Sequence, residues 1–218
     1  MDQQLLFLIN RQWTHPGLDL FMAALSCFDL WRVPLAVLAL CVVIFGGFKA
    51  RMTILAIAMV VAIGDGVISA SLKKIVARPR PFQVVPGVRI LDLQKRHPRV
   101  LALLLPPRIE ISDPDTGSIR GNSFPSSHTL NNFSVAVVLA FFYRRWGWLS
   151  FIVAALVGYS RIYVGVHWPS DVVTSVFLAL GVALLVLAGL ELAWRRFGPR
   201  WMPKTFSRHP GLLETVPP

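Results

Sequence analysis

Apolar residues in this chain gather into long runs, and the polar breaks between them mark out its elements. The first 29 residues mix apolar pairs with Arg11, Trp13, Pro16 and Asp19, and the run Leu20 to Phe28 is far short of the roughly 20 residues a bilayer crossing needs. This pattern predicts an amphipathic segment, 1–29, lying at a membrane interface. Leu30 to Phe48 then reads as a first crossing, with Trp31 and Arg32 at one rim and Lys49 and Arg51 just past the other. Met52 to Leu72 reads as a second, interrupted by Asp65 and glycines. Ser127 to Tyr143 reads as a third, Trp148 through Tyr163 as a fourth, and Asp171 to Trp194 as a fifth.

The predicted fold is therefore an all-α integral membrane bundle of about five transmembrane helices over 30–194. A basic C-terminal tail, 195–218, follows and reads as a loosely ordered, solvated extension. Between the second and third crossings the chain is polar, proline-rich and basic, carrying Arg78, Arg80, Arg89, Lys95, Arg96, Arg99, Arg108 and Arg120. Residues 82–124 read as an inserted external loop, long enough to be a lid or a substrate-selecting cap, with Arg99 to Leu105 as a short amphipathic element.

Composition agrees with a bilayer. Of 218 residues, 55% are hydrophobic and only 15% charged, with a mean hydropathy of +0.59, which fits one integral membrane domain. A net charge of +11 would suggest nucleic acid in a polar chain. In this one it points to anionic lipid or phosphate. The expected partners are membrane lipids and a lipid phosphate substrate, with no nucleic acid and no obligate protein partner. Cys27 and Cys41 lie in apolar surroundings and read as packing residues, too few for a disulfide framework or a zinc site. With Asp2 and no basic stretch before Leu5 to Ile9, the N-terminus does not read as a cleaved signal peptide.

Alternation of five crossings puts the loops 49–51 and 144–147 and the tail on one side. The long basic loop, the 161–170 turn and the N-terminus fall on the other. Short basic flanks assign the first side to the cytoplasm, so the second is read as external.

That external face carries the candidate chemistry. Ser160, Arg161, five residues, His167, three residues and Asp171 place a cation, an imidazole and a carboxylate where one apolar run ends and the next begins. If a helix starts near Pro169, His167 sits at its lip and Asp171 one turn along. The carboxylate can take the proton of one ring nitrogen and leave the other nitrogen free as a nucleophile or base. Arg161 suits a phosphate held in front of it. Taken alone, this stretch reads equally as a membrane-surface histidine beside a helix-capping aspartate.

Two more stretches shift that balance. Lys73 is followed by six residues and then Arg80 and Pro81, with Arg78 and Pro79 doubling the pattern; alone, these are snorkelling anchors. Pro125, Ser126, Ser127 and His128 open the third crossing, where helix N–H groups make an anion site and His128 stands beside it as a proton donor. Together the three supply cations, amides, a buttressed nucleophile and a general acid, as phosphoryl transfer requires. Asp65 lies eight residues before Lys73, on nearly the same helical face, and is expected to steady the lysine, with a bond to a neighbouring helix as the plain alternative. Ser160 is expected to support the site from behind. His128, His167 and Asp171 could also be metal ligands, but Lys73, Arg80 and Arg161 would repel a dication, so no metal and no cofactor is expected.

These three stretches resemble the signature motifs of the type 2 phosphatidic acid phosphatase family, the integral-membrane lipid phosphatases. The likeness runs over roughly residues 18 to 194, and Ser127 stands where the family usually has glycine. The resemblance implies that His167 is the nucleophile forming a phosphohistidine and that Asp171 orients and polarises it. It implies that His128 protonates the leaving group and then activates water. Lys73, Arg80 and Arg161, with Ser126, Ser127 and local amides, would hold the phosphoryl oxygens without a metal. Substrates in the family are phosphatidic acid, phosphatidylglycerophosphate, polyprenyl diphosphates or lipid A phosphates, and the implied location is a bacterial inner membrane with the site on its periplasmic, outer face. Two other readings are a vanadate-binding haloperoxidase of the same superfamily, which five crossings disfavour, and a non-catalytic lipid-phosphate binder or transporter, for which the paired histidines have no use.

Overall fold

Among the described residues, three helices are long and apolar enough to cross a bilayer unaided: α3 (Phe28–Phe45), the continuous run Phe48–Val76, and α9 (Pro169–Trp201). In this computed structural model, residues 1–114 and 121–212 are described. The run Phe48–Val76 comprises α4 (Phe48–Val61), a π-helical stretch (Ala62–Ser69) and α5 (Ala70–Val76). The predicted third and fourth crossings correspond to α7 (Ser127–Phe142), 16 residues, and α8 (Ser150–Tyr163), 14 residues after a short 3-10 turn. Both are apolar but shorter than a full crossing. The architecture is an all-α membrane fold, as the hydropathy pattern predicts.

α7 is central, packing against α4, α8 and α9. Ala56, Val60, Val137, Val138, Phe142, Val182, Ala183, Val186 and Leu187 form the core there. In contrast, α3 buries none of its residues, and Val33, Val37 and Leu38 are more than half exposed. Such a helix is stable only with hydrocarbon as its solvent.

A second core lies at the site-bearing end and is built by segments the hydropathy pattern left outside the bundle. Leu6, Ile9, Met22 and Ala23 from the N-terminus meet Phe82, Val85, Val88, Leu91 and Leu93 from the long loop and Tyr163, Val164 and Trp168 from the α8–α9 turn. The stretch 1–29 holds α1 (Asp2–Phe7), a π turn (Leu8–Gln12) and α2 (Pro16–Ser26). Its Asn10, fully buried, donates to the carbonyls of Arg89 and Tyr163 and accepts from the Arg89 N–H. The long loop forms α6 (Pro81–Val84) and a two-stranded antiparallel ribbon, β1 (Arg89–Asp92) with β2 (Arg108–Ile111), in which Arg89 faces Ile111. Between the strands, the expected amphipathic element is a 3-10 helix, Arg99–Leu104. Gly165, at φ +80°, lets β1 lie directly on the α8–α9 turn, since a Cβ there would be 2.3 Å from the Arg89 carbonyl oxygen.

The tail differs from expectation. α9 continues to Trp201, and α10 (Pro203–Arg208) folds back on it. Trp194 Nε1 donates to the His209 carbonyl at 2.8 Å, Leu212 N–H donates to Glu191 at 2.8 Å, and His209 stacks on Phe48. Aromatic surface with polar handles anchors what its charge suggested was solvated. Arg120 and residues 213–218 lie outside the described residues.

Candidate active site

The stretch from Ser160 to Asp171 folds as its spacing predicts. α8 ends at Tyr163, the N–H groups of Val166 and His167 turn back to the Arg161 carbonyl, and Pro169 opens α9. His167 therefore sits at the lip and is only 3% exposed, with Asp171 fully buried behind it. The two do not bond directly: Nδ1 and Oδ2 are 3.9 Å apart. Ser123 stands between them, donating to Asp171 Oδ2 and lying 3.5 Å from His167 Nδ1. Oδ2 also accepts the Trp168 N–H at 3.1 Å, and Oδ1 accepts Arg78 Nη1 at 2.6 Å. Burial pushes the His167 imidazole down to about 4, with its link to Asp171 opposing and Arg161 and Arg80 adding to the fall. It is neutral at pH 7, and a proton on the Nδ1 edge leaves the Nε2 lone pair free.

Three polar atoms around this imidazole are buried without a partner among the described residues: Arg80 Nε, Arg161 Nε and His128 Nε2. Buried donors left open this way mark a place where a ligand belongs. Arg161 comes from the last turn of α8, and its Nη1 is held by the Ser26 carbonyl at 2.9 Å and by the Ser26 hydroxyl. Arg80 follows a sharp turn made by Ala77, which ends α5 in the left-handed conformation at φ 47°. Burial lowers the pKa of Arg80, and Asp171 opposes the shift. Lys73 Nζ donates to Ser127 Oγ at 2.7 Å, and that hydroxyl also meets Ser69 Oγ at 2.7 Å. The first intrahelical bond of α7 runs from Leu130 N–H to the Ser126 carbonyl, so the amides of Ser127, His128 and Thr129 have no intrahelical acceptor. His128 lies in the field of His167, Arg161, Lys73 and Arg80, with its ring edge-on to Phe28. Among the described residues, no three His, Cys, Asp or Glu side chains gather so as to hold a metal ion.

The model of the PAP2 superfamily matches residues 52–195, the stretch that carries these cations, helix amides and paired imidazoles. The chain belongs to the PAP2 superfamily. It is 31% identical over 177 residues to the undecaprenyl-diphosphatase of Sulfolobus acidocaldarius, covering 81% of this chain and 71% of that protein. A shorter match, 45% over 73 residues, joins it to the bacitracin transport permease protein BcrC of Bacillus licheniformis and spans about a third of each: 34% of this chain and 33% of that one. Among solved structures, that of Aquifex aeolicus LpxE superposes with a TM-score of 0.60 at 28% identity, over 86% of this chain and 94% of the other.

Within this PAP2 site, three predicted residues are placed differently from expectation. Asp65 is exposed on the π-helical stretch, and among the described residues no hydrogen bond or ion pair joins it to Lys73; its charge still favours the ammonium through space, while Ser127 takes the ammonium's hydrogen bond. Bonds from i to i+5 add a residue per turn and break the phase that an α-helical count assumes. Ser160 is fully buried and bonds to the Val157 carbonyl of its own helix at 2.7 Å, not to a site group. Ser126, fully buried, has its N–H on Ser175 Oγ at 2.9 Å and its hydroxyl accepting from Thr129 at 2.9 Å, so it ties α7 to α9. Conversely, Ser123, Ser26 and the Asp171-binding role of Arg78 carried no signal in the sequence. Ser123 stands two residues before Pro125, and only the fold turns it toward Asp171.

Proposed function

We propose that this chain is an integral-membrane lipid phosphatase that cleaves a lipid phosphate or diphosphate through a phosphohistidine on His167. The observation that carries this reading is the set of buried, unpartnered donors, Arg80 Nε, Arg161 Nε and His128 Nε2, around a neutral imidazole. An anion of phosphate size answers all of them, and family membership supplies the chemistry.

In the first step, His167 Nε2 attacks phosphorus as the bond to the lipid oxygen breaks, and His128 gives that oxygen its proton. Lys73, Arg80, Arg161 and the α7 amides take the charge that spreads over the non-bridging oxygens. Asp171, through Ser123, steadies the imidazole as it becomes cationic. In the second step, His128 takes a proton from water, the oxygen of which bonds to phosphorus. The N–P bond breaks, freeing phosphate and restoring His167. No step draws on a cofactor.

The favoured substrate is a polyprenyl diphosphate, in line with the similarity to a named undecaprenyl-diphosphatase. Phosphatidylglycerophosphate, phosphatidic acid and lipid A phosphates are the other members of the class. The proposed setting is a bacterial inner membrane, with α7 and α8 completing five crossings and the site on the periplasmic side, as the positive flanks of the opposite end support. The test is phosphate release by the purified chain in detergent from a panel of these four lipids, beside His167→Ala. Release from at least one lipid, abolished by the substitution, is expected; full turnover by His167→Ala would sink the reading.

A further inference from the structure

Three groups of the site are held from one direction by a part of the chain that lies outside the PAP2 match at 52–195. Asp2 opens α1, and its carboxylate accepts Arg78 Nη2 at 2.7 Å, the Ser170 N–H at 3.0 Å and Ser170 Oγ at 2.6 Å. Arg78 turns its other terminal nitrogen, Nη1, to Asp171 Oδ1 at 2.6 Å. One guanidinium thus bridges the N-terminal helix and the carboxylate behind His167. At the far end of the same segment, Ser26 grips Arg161, and Phe28 stands edge-on to His128 with ring centroids 6.3 Å apart.

We propose that residues 1–28 are a positioning element of the active site: Asp2, acting through Arg78, sets the orientation of Asp171 and so of His167, while Ser26 aims the fork of Arg161. The proposal rests on the phosphatase reading above. Its physical basis is the geometry of a planar fork facing two acids. With Asp2 present, Arg78 meets Asp171 through one nitrogen only, and Oδ2 remains available to Ser123 and the Trp168 N–H. With Asp2 neutralised, Nη2 is released and only the 2.8 Å bond from Nη1 to Ser170 Oγ still holds the fork beside Asp171, so it can turn to take both Asp171 oxygens, the preferred bidentate arrangement. That displaces Ser123 and lets the imidazole turn.

Asp2 is delivered by an anchored helix. Leu6 and Asn10 of the same segment are fully buried, and Arg11 donates to the carbonyls of Gly87 at 2.6 Å and Pro86 at 3.0 Å. The Asp2 carboxylate also caps the start of α9 at Ser170, where negative charge is favourable. Positions 2 and 170 are fixed relative to each other by packing, so the bridge is a built feature of the fold.

The test is steady-state phosphate release by the purified full chain carrying Asp2→Asn, Asp2→Glu, Arg78→Gln, the pair Asp2→Asn with Arg78→Gln, and Ser26→Ala. Asp2→Asn is expected to lower kcat about tenfold with KM within about twofold, because the lost orientation matters in the transition state. Asp2→Glu should restore most of that loss. Because Asp2 reaches Asp171 through Arg78, and its bonds to Ser170 bear on the start of α9 and not on the Asp171 carboxylate, the pair should be no slower in kcat than Arg78→Gln alone, a strongly non-additive result. Ser26→Ala should lower kcat/KM about fivefold and weaken inhibition by inorganic phosphate to a similar extent. Wild-type kcat in Asp2→Asn, or losses that multiply in the pair, would overturn the proposal, as would a melting temperature that falls with activity and no rescue by Asp2→Glu. If His167→Ala is dead while Asp2→Asn is normal, only this proposal fails; turnover by His167→Ala removes the reading beneath it.

Discussion

The two ends of α9 are both basic, and only one of them is proposed to grip an anion. At the far end Arg196, Arg200, Lys204 and Arg208 are exposed to solvent and unconstrained by buried geometry. At the near end Arg161 is buried and Arg80 half-buried, and each keeps a buried Nε without a partner among the described residues. Exposed cations are hydrated and screened, so they act weakly and mainly set orientation in the bilayer. Cations held in a dry rim already carry the cost of desolvation, and an incoming phosphate recovers it. Charge count therefore did not distinguish the ends; burial with open valences did.

The sharpest way to break this comparison is at the nucleophile. His167→Ala should cut turnover by at least about 10³-fold, measured as phosphate release, because a covalent step has no substitute. Next comes a matched pair of arginine changes. Arg161→Lys removes the fork and should lower kcat/KM by about 10- to 100-fold, the value of one or two buried charge-assisted bonds. Arg208→Lys at the far end should stay within about twofold; equal effects would erase the distinction between the ends.

Acid sharpens it further. His167 has its folded value depressed to about 4 from 6.5, so the unfolded chain binds more protons between those values. Stability is then full above about pH 6.5 and falls as pH drops toward 4, by at most about 3 kcal/mol. Melting curves in detergent at pH 7 and pH 5 should show this drop, and His167→Gln should flatten it; an unchanged slope would mean the imidazole is not held neutral by burial. The smallest effect is expected from Ser127→Gly, which restores the residue usual in the family and frees Lys73 Nζ from its 2.7 Å bond. A change of about two- to fivefold in kcat/KM is expected, with the sign set by whether the ammonium gains a phosphate oxygen.

Much of the candidate site is legible in the sequence. His167 and Asp171 at one turn's spacing, Arg161 ahead of them, and Lys73 with Arg80 all appear where the spacing put them, because short-range separations on helices constrain direction strongly. Asp65 reaches Lys73 only through its field and not by a direct bond, since its spacing was counted on an α-helix and the chain there is π-helical. The protein partners of Ser126 and Ser160 were not legible, because a serine in a motif does not say which neighbour claims its hydroxyl. For the N-terminus and the 82–114 part of the loop, the sequence offered an interfacial segment and an inserted loop but not their partners. Leu6, Ile9, Val88 and Leu93 meet in one core although they lie far apart in the chain.

The sequence by itself determined a membrane-embedded helical chain, its family and the residue types proposed to hold a phosphate, since hydropathy runs and fixed short spacings are local properties. Only the tertiary structure decided that Ser123 stands between His167 and Asp171, that Arg78 bridges Asp171 to Asp2, and that Ser26 holds Arg161. Those partners lie 48, 93, 76 and 135 residues apart in the chain. Contacts at such separations follow from how helices and loops pack around a common core, and no local pattern encodes them.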